Sequence, residues 1–164
     1  MLPLAELALT LSSMPWAVGL ACSALASLLP AVPAVAEDGF HALRPAEIRW
    51  SVLRESPALS RADIHGRQGG VGPFTFRVRA AAGHRLLPHT HPDDRVITVL
   101  EGTYWSAVGD TWDESRLVAY PRGSFYVVPA GVPHFSAVLE GETEFQESGI
   151  GPSRNDMIPP TTLR

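Results

Sequence analysis

The sequence predicts an all-β fold, an antiparallel double sheet closed into a jelly-roll barrel. Three observations predict it. From Phe74 onward the chain reads as about eight short apolar or alternating segments, the spacing of strands in a sandwich or barrel. Glycines and prolines separate those segments, at Gly83, Gly102, Gly109, Pro121, Gly123 and Pro129, where the chain must turn. No stretch beyond residue 37 repeats its apolar residues at a helical spacing.

In chain order, residues 1–36 differ in kind from the rest. They carry one charge, Glu6, and end in Ala34-Val35-Ala36 before the polar pair Glu37-Asp38. This is the pattern of a signal peptide cleaved near Ala36, although its start lacks Lys or Arg. Pro15, Pro30 and Pro33 interrupt the apolar run, which argues against the alternative of a retained membrane anchor. The expectation is a periplasmic or secreted protein with no stable membrane span in its mature form. Cys22 is the only cysteine, so the mature chain would form no disulfide and do no thiolate chemistry.

Residues 37–72 read as an N-terminal arm and loop. A short strand is expected over 46–53, with Ile48, Trp50 and Val52 on one face. The glycines at 66, 69, 70 and 72 mark 57–72 as loop. The barrel is expected over 73–152. Phe74, Phe76 and Val78 alternate with Thr75, Arg77 and Arg79, a half-buried strand. Further strands are expected at 84–91, 95–100, 103–108, 117–120, 124–128, 134–139 and 143–148. Residues 153–164 remain as a C-terminal tail.

Composition bounds the function. The 164 residues suit one domain, and 45 % hydrophobic content is enough for one core. The net charge of −4 gives no basic footprint for nucleic acid. All 13 basic residues are Arg, a composition bias without functional content.

The chemistry concentrates in two stretches. His89 and His91 stand one residue apart, so on a strand both imidazoles point to one face. His134 follows the turn residues Pro129-Ala130-Gly131, which deliver it to the start of the next strand. Three imidazoles suit a divalent transition metal and leave coordination positions open. His41 and His65 lie in the arm and read as solvated. His84 has the opposite strand parity to His89 and faces outward if no bulge intervenes. Trp105 and Trp112 read as core before pocket wall.

The first stretch has the form G-x5-H-x-H-x3-R-x6-G over 83–102, and the second G-x5-P-x-G-x2-H-x3-V over 123–138. They resemble the two motifs of the cupin superfamily, G-x5-H-x-H-x3,4-E-x6-G and G-x5-P-x-G-x2-H-x3-N. The likeness extends over about residues 48–152, and is closest to small, often exported, single-domain cupins. It implies a double-stranded β-helix and a metal site of His89, His91 and His134, holding Fe, Mn, Ni or Zn. It also implies a small-molecule ligand and a homodimer. Two positions depart: Arg95 stands where the family has its ligand Glu, and Val138 where it often has Asn. The position of Ser148 often holds His in that branch.

Arg95 leaves two readings open. An inward guanidinium opposes a divalent cation. Asp93 or Asp94 would then supply the carboxylate, or Arg95 would bind an anionic substrate by its planar fork. Alternatively the site is metal-free and binds or senses a small anion through Arg95. Gln146 is a further contact if the last strand turns it inward, together with Glu144 and Ser148. The functional expectation is an exported small-molecule-binding cupin, with a metal-dependent, iron oxygenase-type enzyme as the catalytic version. A non-catalytic anion-binding module and a mainly structural dimer are the alternatives.

Overall fold

The computed structural model describes residues 40–54 and 56–160, all but Phe40 within the compact unit His41–Arg164. The leader expected at 1–36 lies outside the described residues. Among the described residues eleven strands follow one another: β1 Ser51–Leu53, β2 Ser56–His65, β3 Gly72–Ala80, β4 Arg85–Thr90, β5 Arg95–Glu101, β6 Thr103–Val108, β7 Val118–Pro121, β8 Phe125–Val128, β9 His134–Ala137, β10 Thr143–Gly151 and β11 Asp156–Met157. They form two antiparallel sheets, in the orders β1-β2-β3-β10-β5-β8 and β11-β4-β9-β6-β7. This is the expected jelly roll. Among the described residues no helix is long and apolar enough to cross a membrane.

Alternation builds the core. Phe74, Phe76, Val78 and Ala80 line the inner face of β3, and Ile97 and Val99 that of β5. Phe145 of β10, Val128 of β8, Tyr104 of β6 and Val138 join them. Each such large side chain contributes about 1.5–3 kcal/mol by leaving water. Tyr104 stacks on Phe145 at 4.2 Å, tying the two sheets.

The N-terminal segment departs from expectation twice. A 3-10 turn at Pro45–Glu47 occupies the start of the strand expected over 46–53, leaving only Ser51–Leu53 extended. Proline at the first helical position and a Glu47 carboxylate accepting from the Arg44 amide at 2.6 Å favour that turn. Residues 56–65, read as loop, form a ten-residue strand paired to β3 from Leu59↔Ala80 onward. Its glycines all lie past its end, and only Ala62 is fully buried, so alternation is faint. What holds it is the β3 edge and Arg61, whose guanidinium lies 3.7 Å over the Phe76 ring. The tail also contributes: β11 pairs Asp156↔Thr90 and Met157↔His89.

Gly102 shows why the corners need glycine. Its φ is +72°, and a Cβ there would lie 2.5 Å from the Glu142 carbonyl and 2.8 Å from Thr143 Oγ1.

Candidate metal centre

The three histidines converge because two strands of one sheet bring them face to face. His89 on β4 and His134 at the start of β9 are direct register partners. His91 follows β4 immediately. Their ring centroids are 4.2, 4.8 and 5.0 Å apart, and one ligand nitrogen of each lies within 4.8 Å of the others. The Pro129–Gly131 turn is moored to the first motif. The Gly131 amide donates to the His91 carbonyl at 2.8 Å, and the Ala130 amide to Asp94 Oδ1 at 2.8 Å. Gly131 takes φ +73°, which closes the turn and starts β9 at His134.

Each ring is fixed by a backbone carbonyl. His89 Nδ1 meets the Leu87 carbonyl at 2.8 Å, His91 Nδ1 that of Arg154 at 3.1 Å, and His134 Nδ1 that of Val132 at 3.1 Å. A carbonyl only accepts, so every Nδ1 carries the proton. Every Nε2 lone pair is therefore free, the orientation a metal-ligating histidine takes.

Burial keeps these rings neutral. It lowers the His89 pKa to about 4, helped by His134 and His91 and opposed by the Leu87 carbonyl and the Glu147 charge. Burial likewise lowers His91 to about 4, with Arg95 adding to the effect. His134 is lowered by burial too. Neutral imidazole is the form that binds metal.

The cavity between the rings is small, about 10 Å³ of space for a water-sized occupant. Beside the histidines it is lined by Arg95, Glu147, Tyr104, Tyr126, Ser136 and the aliphatic pair Leu86 and Ile97. Burial raises the pKa values of Tyr104 and Tyr126, so both phenols keep their protons.

Arg95 points inward and is fully buried, on the same face of β5 as Ile97 and Val99. Its charge is already matched. Nη1 donates to Glu147 Oε2 at 2.6 Å, and Nη2 donates to Ser153 Oγ at 2.8 Å and Asp93 Oδ1 at 3.3 Å. Only its Nε, buried, has no partner. Asp93 also accepts from the Ser153 hydroxyl and, through Oδ2, from the Ile150 amide at 3.2 Å. Burial alone would raise the Asp93 pKa, but the Ser153 and Arg95 hydrogen bonds outweigh it and hold the carboxyl below its usual range. The pair of carboxylates against one guanidinium leaves one negative charge beside the histidines. The expected opposition of Arg95 to a cation is thereby reduced, although at His91 its charge still outweighs that of Asp93.

The other expected contacts lie elsewhere. Asp94 caps the turn through Ala130 and does not line the cavity. Gln146 faces away, accepting from Arg77 Nε at 3.2 Å, and Ser148 pairs with Thr75 at 2.9 Å between their hydroxyls. Trp105 and Trp112 are also absent from the cavity lining; Trp112 packs on Phe135 at 5.2 Å. Glu147 lies outside both motifs and is not singled out by them. The signal was the buried Phe145 two residues earlier: residues of one parity share a face, so Glu147 had to follow Phe145 inward. His84 is half-buried rather than outward. The β4–β9 register shifts between Leu86 and His89, so Leu86 and His84 share the inner side with His89.

No protein-family model matches the chain, and no curated protein matches it. Solved structures do. The polyketide cyclase RemF from Streptomyces resistomycificus aligns with TM-score 0.58 at 17 % identity, covering 76 % of this chain and 87 % of that one. A cupin-2 domain protein from Rhodospirillum rubrum aligns with TM-score 0.57 at 12 % identity, covering 74 % and 81 %. The DMSP lyase DddQ from Ruegeria pomeroyi aligns with TM-score 0.51 at 15 % identity, covering 65 % and 58 %. At these identities the likeness speaks for the fold, which is that of the cupins.

Proposed function

We propose that this cupin-fold chain binds a divalent transition metal through Nε2 of His89, His91 and His134 and uses it to bind, and act on, a small molecule. The observation that carries the reading is the set of three Nδ1–carbonyl hydrogen bonds, which aim three free lone pairs at one point. A redox-active ion such as iron would supply dioxygen chemistry there, and a redox-silent ion such as zinc would polarise a substrate oxygen. The protein's own part is definable. Leu86 and Ile97 give the cavity an apolar side, the protonated Tyr104 and Tyr126 line it as donors to an oxygenated ligand, and Ser136, whose hydroxyl donates to Ser106 Oγ at 3.3 Å, lines it as an acceptor. An iron oxygenase is the catalytic version of this reading. The cyclase and lyase among the structural neighbours, RemF and DddQ, support an enzyme without favouring oxidation.

The anion-binding reading has less behind it, because the Arg95 fork is held by Asp93, Glu147 and Ser153. Export with cleavage after Ala36 belongs to the same proposal, supported by the 34–36 motif, and places the protein in the periplasm or outside the cell. A mature amino terminus at Glu37 is the expected mass-spectrometric result. A homodimer is likewise proposed on the family resemblance alone.

The decisive experiment is elemental analysis of protein purified without a polyhistidine tag. The expected result is a stoichiometric first-row metal, lost in His89→Ala and His134→Ala. Wild-type protein that neither retains nor takes up metal would overturn the reading.

A further inference from the structure

We propose that Glu147 is the carboxylate of this metal site, held one layer outside the ligating nitrogens by Arg95, and that the Arg95–Glu147 pair replaces the carboxylate missing from position 95. The inference rests on the metal reading above and goes beyond it by assigning a residue, on a different strand, to a role that neither motif predicts.

Glu147 lines the same cavity as the three histidines. It reaches it from the opposite sheet, on the face of β10 that also carries Thr143 and Phe145. Its Oε2 takes the 2.6 Å hydrogen bond from Arg95 Nη1. Its Oε1 accepts no hydrogen bond among the described residues. Its charge is felt by His89 and His134, where it opposes the effect of burial. The carboxylate does not belong to the group of ligand atoms within 4.8 Å of one another. It therefore sits as an outer partner, able to accept a hydrogen bond from a donor on whatever fills the open coordination positions.

The electrostatic need is plain. Three neutral imidazoles bring no charge to a divalent cation among buried side chains, so a nearby anion contributes strongly. Asp93 is spent on Arg95, Ser153 and the Ile150 amide. Glu147 alone has an oxygen left over. Arg95 is then a positioning residue: it fixes the Glu147 side chain and has no free fork of its own to offer a ligand.

The test is isothermal titration of Zn(II) and of Ni(II), separately, into the full chain stripped of metal by chelation. Glu147→Gln keeps the shape and an oxygen for Arg95. It should weaken metal binding about 10–100-fold, the usual effect of removing an outer partner. A second variant, Arg95→Met with Glu147→Leu, replaces the Arg95–Glu147 pair by apolar side chains and leaves Asp93 held by the Ser153 hydroxyl and the Ile150 amide. It leaves Asp93 as the remaining charge, so the local net charge is the same as in the wild type. It should show the same loss of affinity, which a general field effect would not produce. Cobalt(II) absorption spectra of wild type and Glu147→Gln should differ in band position. Metal affinity within twofold of wild type in both variants, with His89→Ala still abolishing binding, would overturn the role of Glu147 and leave the three-histidine site standing. A wild type that binds neither ion would overturn both.

Discussion

Single residues set the state of this site before anything binds. Arg95 is buried with one hydrogen-bonding edge against two carboxylates. Replacing it alone by Met strands Asp93 and Glu147 as buried, uncompensated anions. The expected cost at neutral pH is about 3–5 kcal/mol, read from the urea midpoint at constant m-value. The histidines make a second, opposite kind of claim. Their folded pKa values are depressed, to about 4 for His89 and His91, whereas an unfolded chain protonates them near 6.5. Between those values the unfolded state binds more protons than the folded one. The metal-free protein is therefore at full histidine-linked stability above about pH 6.5 and loses it as pH falls towards 4. Metal binding to the folded protein follows the folded values instead. At pH 7 the rings are already unprotonated, so titrations in two buffers of different ionisation enthalpy should give the same apparent enthalpy. With Ni(II), whose bound water keeps its protons at this pH, release of close to one proton for each ion bound would show that burial does not lower these pKa values as the structure implies.

At the level of elements, the site depends on two close approaches. Gly149 on β10 lies against Asp93: a Cβ there would overlap its carboxylate and lie 2.8 Å from the Phe74 ring. Gly149→Ala should push Asp93 off Arg95 and destabilise the fold by about 1–3 kcal/mol, the scale of an overpacked core position. Chemical denaturation measures it, and an unaltered midpoint would mean that β10 shifts freely. The second approach is the C-terminal strand. Ser153 holds Asp93 and Arg95, the Arg154 carbonyl orients His91, and β11 extends the sheet beside β4. Ending the chain after Pro152 should weaken metal binding about 10–100-fold, because it removes the partner that fixes the His91 tautomer. The test is whether far-ultraviolet dichroism keeps its β signature while affinity falls. Much of this architecture was legible. The strands carrying Phe74, Ile97 and Phe145 alternate cleanly, and the two motifs placed all three histidines. What was not legible depends on pairing. The second strand is recognisable only by the β3 edge it lies on, since just one of its residues is fully buried. The bulge in β4 reverses the facing of His84, and a bulge is a property of two strands in register rather than of either sequence. The sequence leaves the orientation of Arg95 open because a charge is ordinarily outward. Its buried partners come from residues 93, 147 and 153, which only the closed barrel brings together.

On the scale of the whole molecule, the centre lies where the two sheets face each other. His89 and His134 belong to the five-stranded sheet, and Arg95 and Glu147 to the six-stranded one. An ion on the histidines, partnered by Glu147 from across the barrel, would therefore join the sheets at a point where the apolar core has given way to polar side chains. The unfolded chain has no such arrangement, so an ion held there would favour the folded state, and its binding free energy would add to the stability of the fold. At a free metal concentration of 100 Kd this amounts to about 2.7 kcal/mol. For a chain of this size the midpoint of thermal unfolding should rise by roughly 5–10 °C. Excess chelator should reverse the rise in full. His134→Ala should have a metal-insensitive midpoint, since it removes one of the two residues joining β4 to β9 at the site. Glu147→Gln should still show a shift at saturating metal, but should reach it only at higher metal concentration, because its ligands are intact and its outer partner is not. A wild-type midpoint unmoved by metal, with binding independently demonstrated, would mean that the ion occupies the unfolded chain as readily as the barrel. The three histidines would then not be the preorganised site that their carbonyl partners indicate.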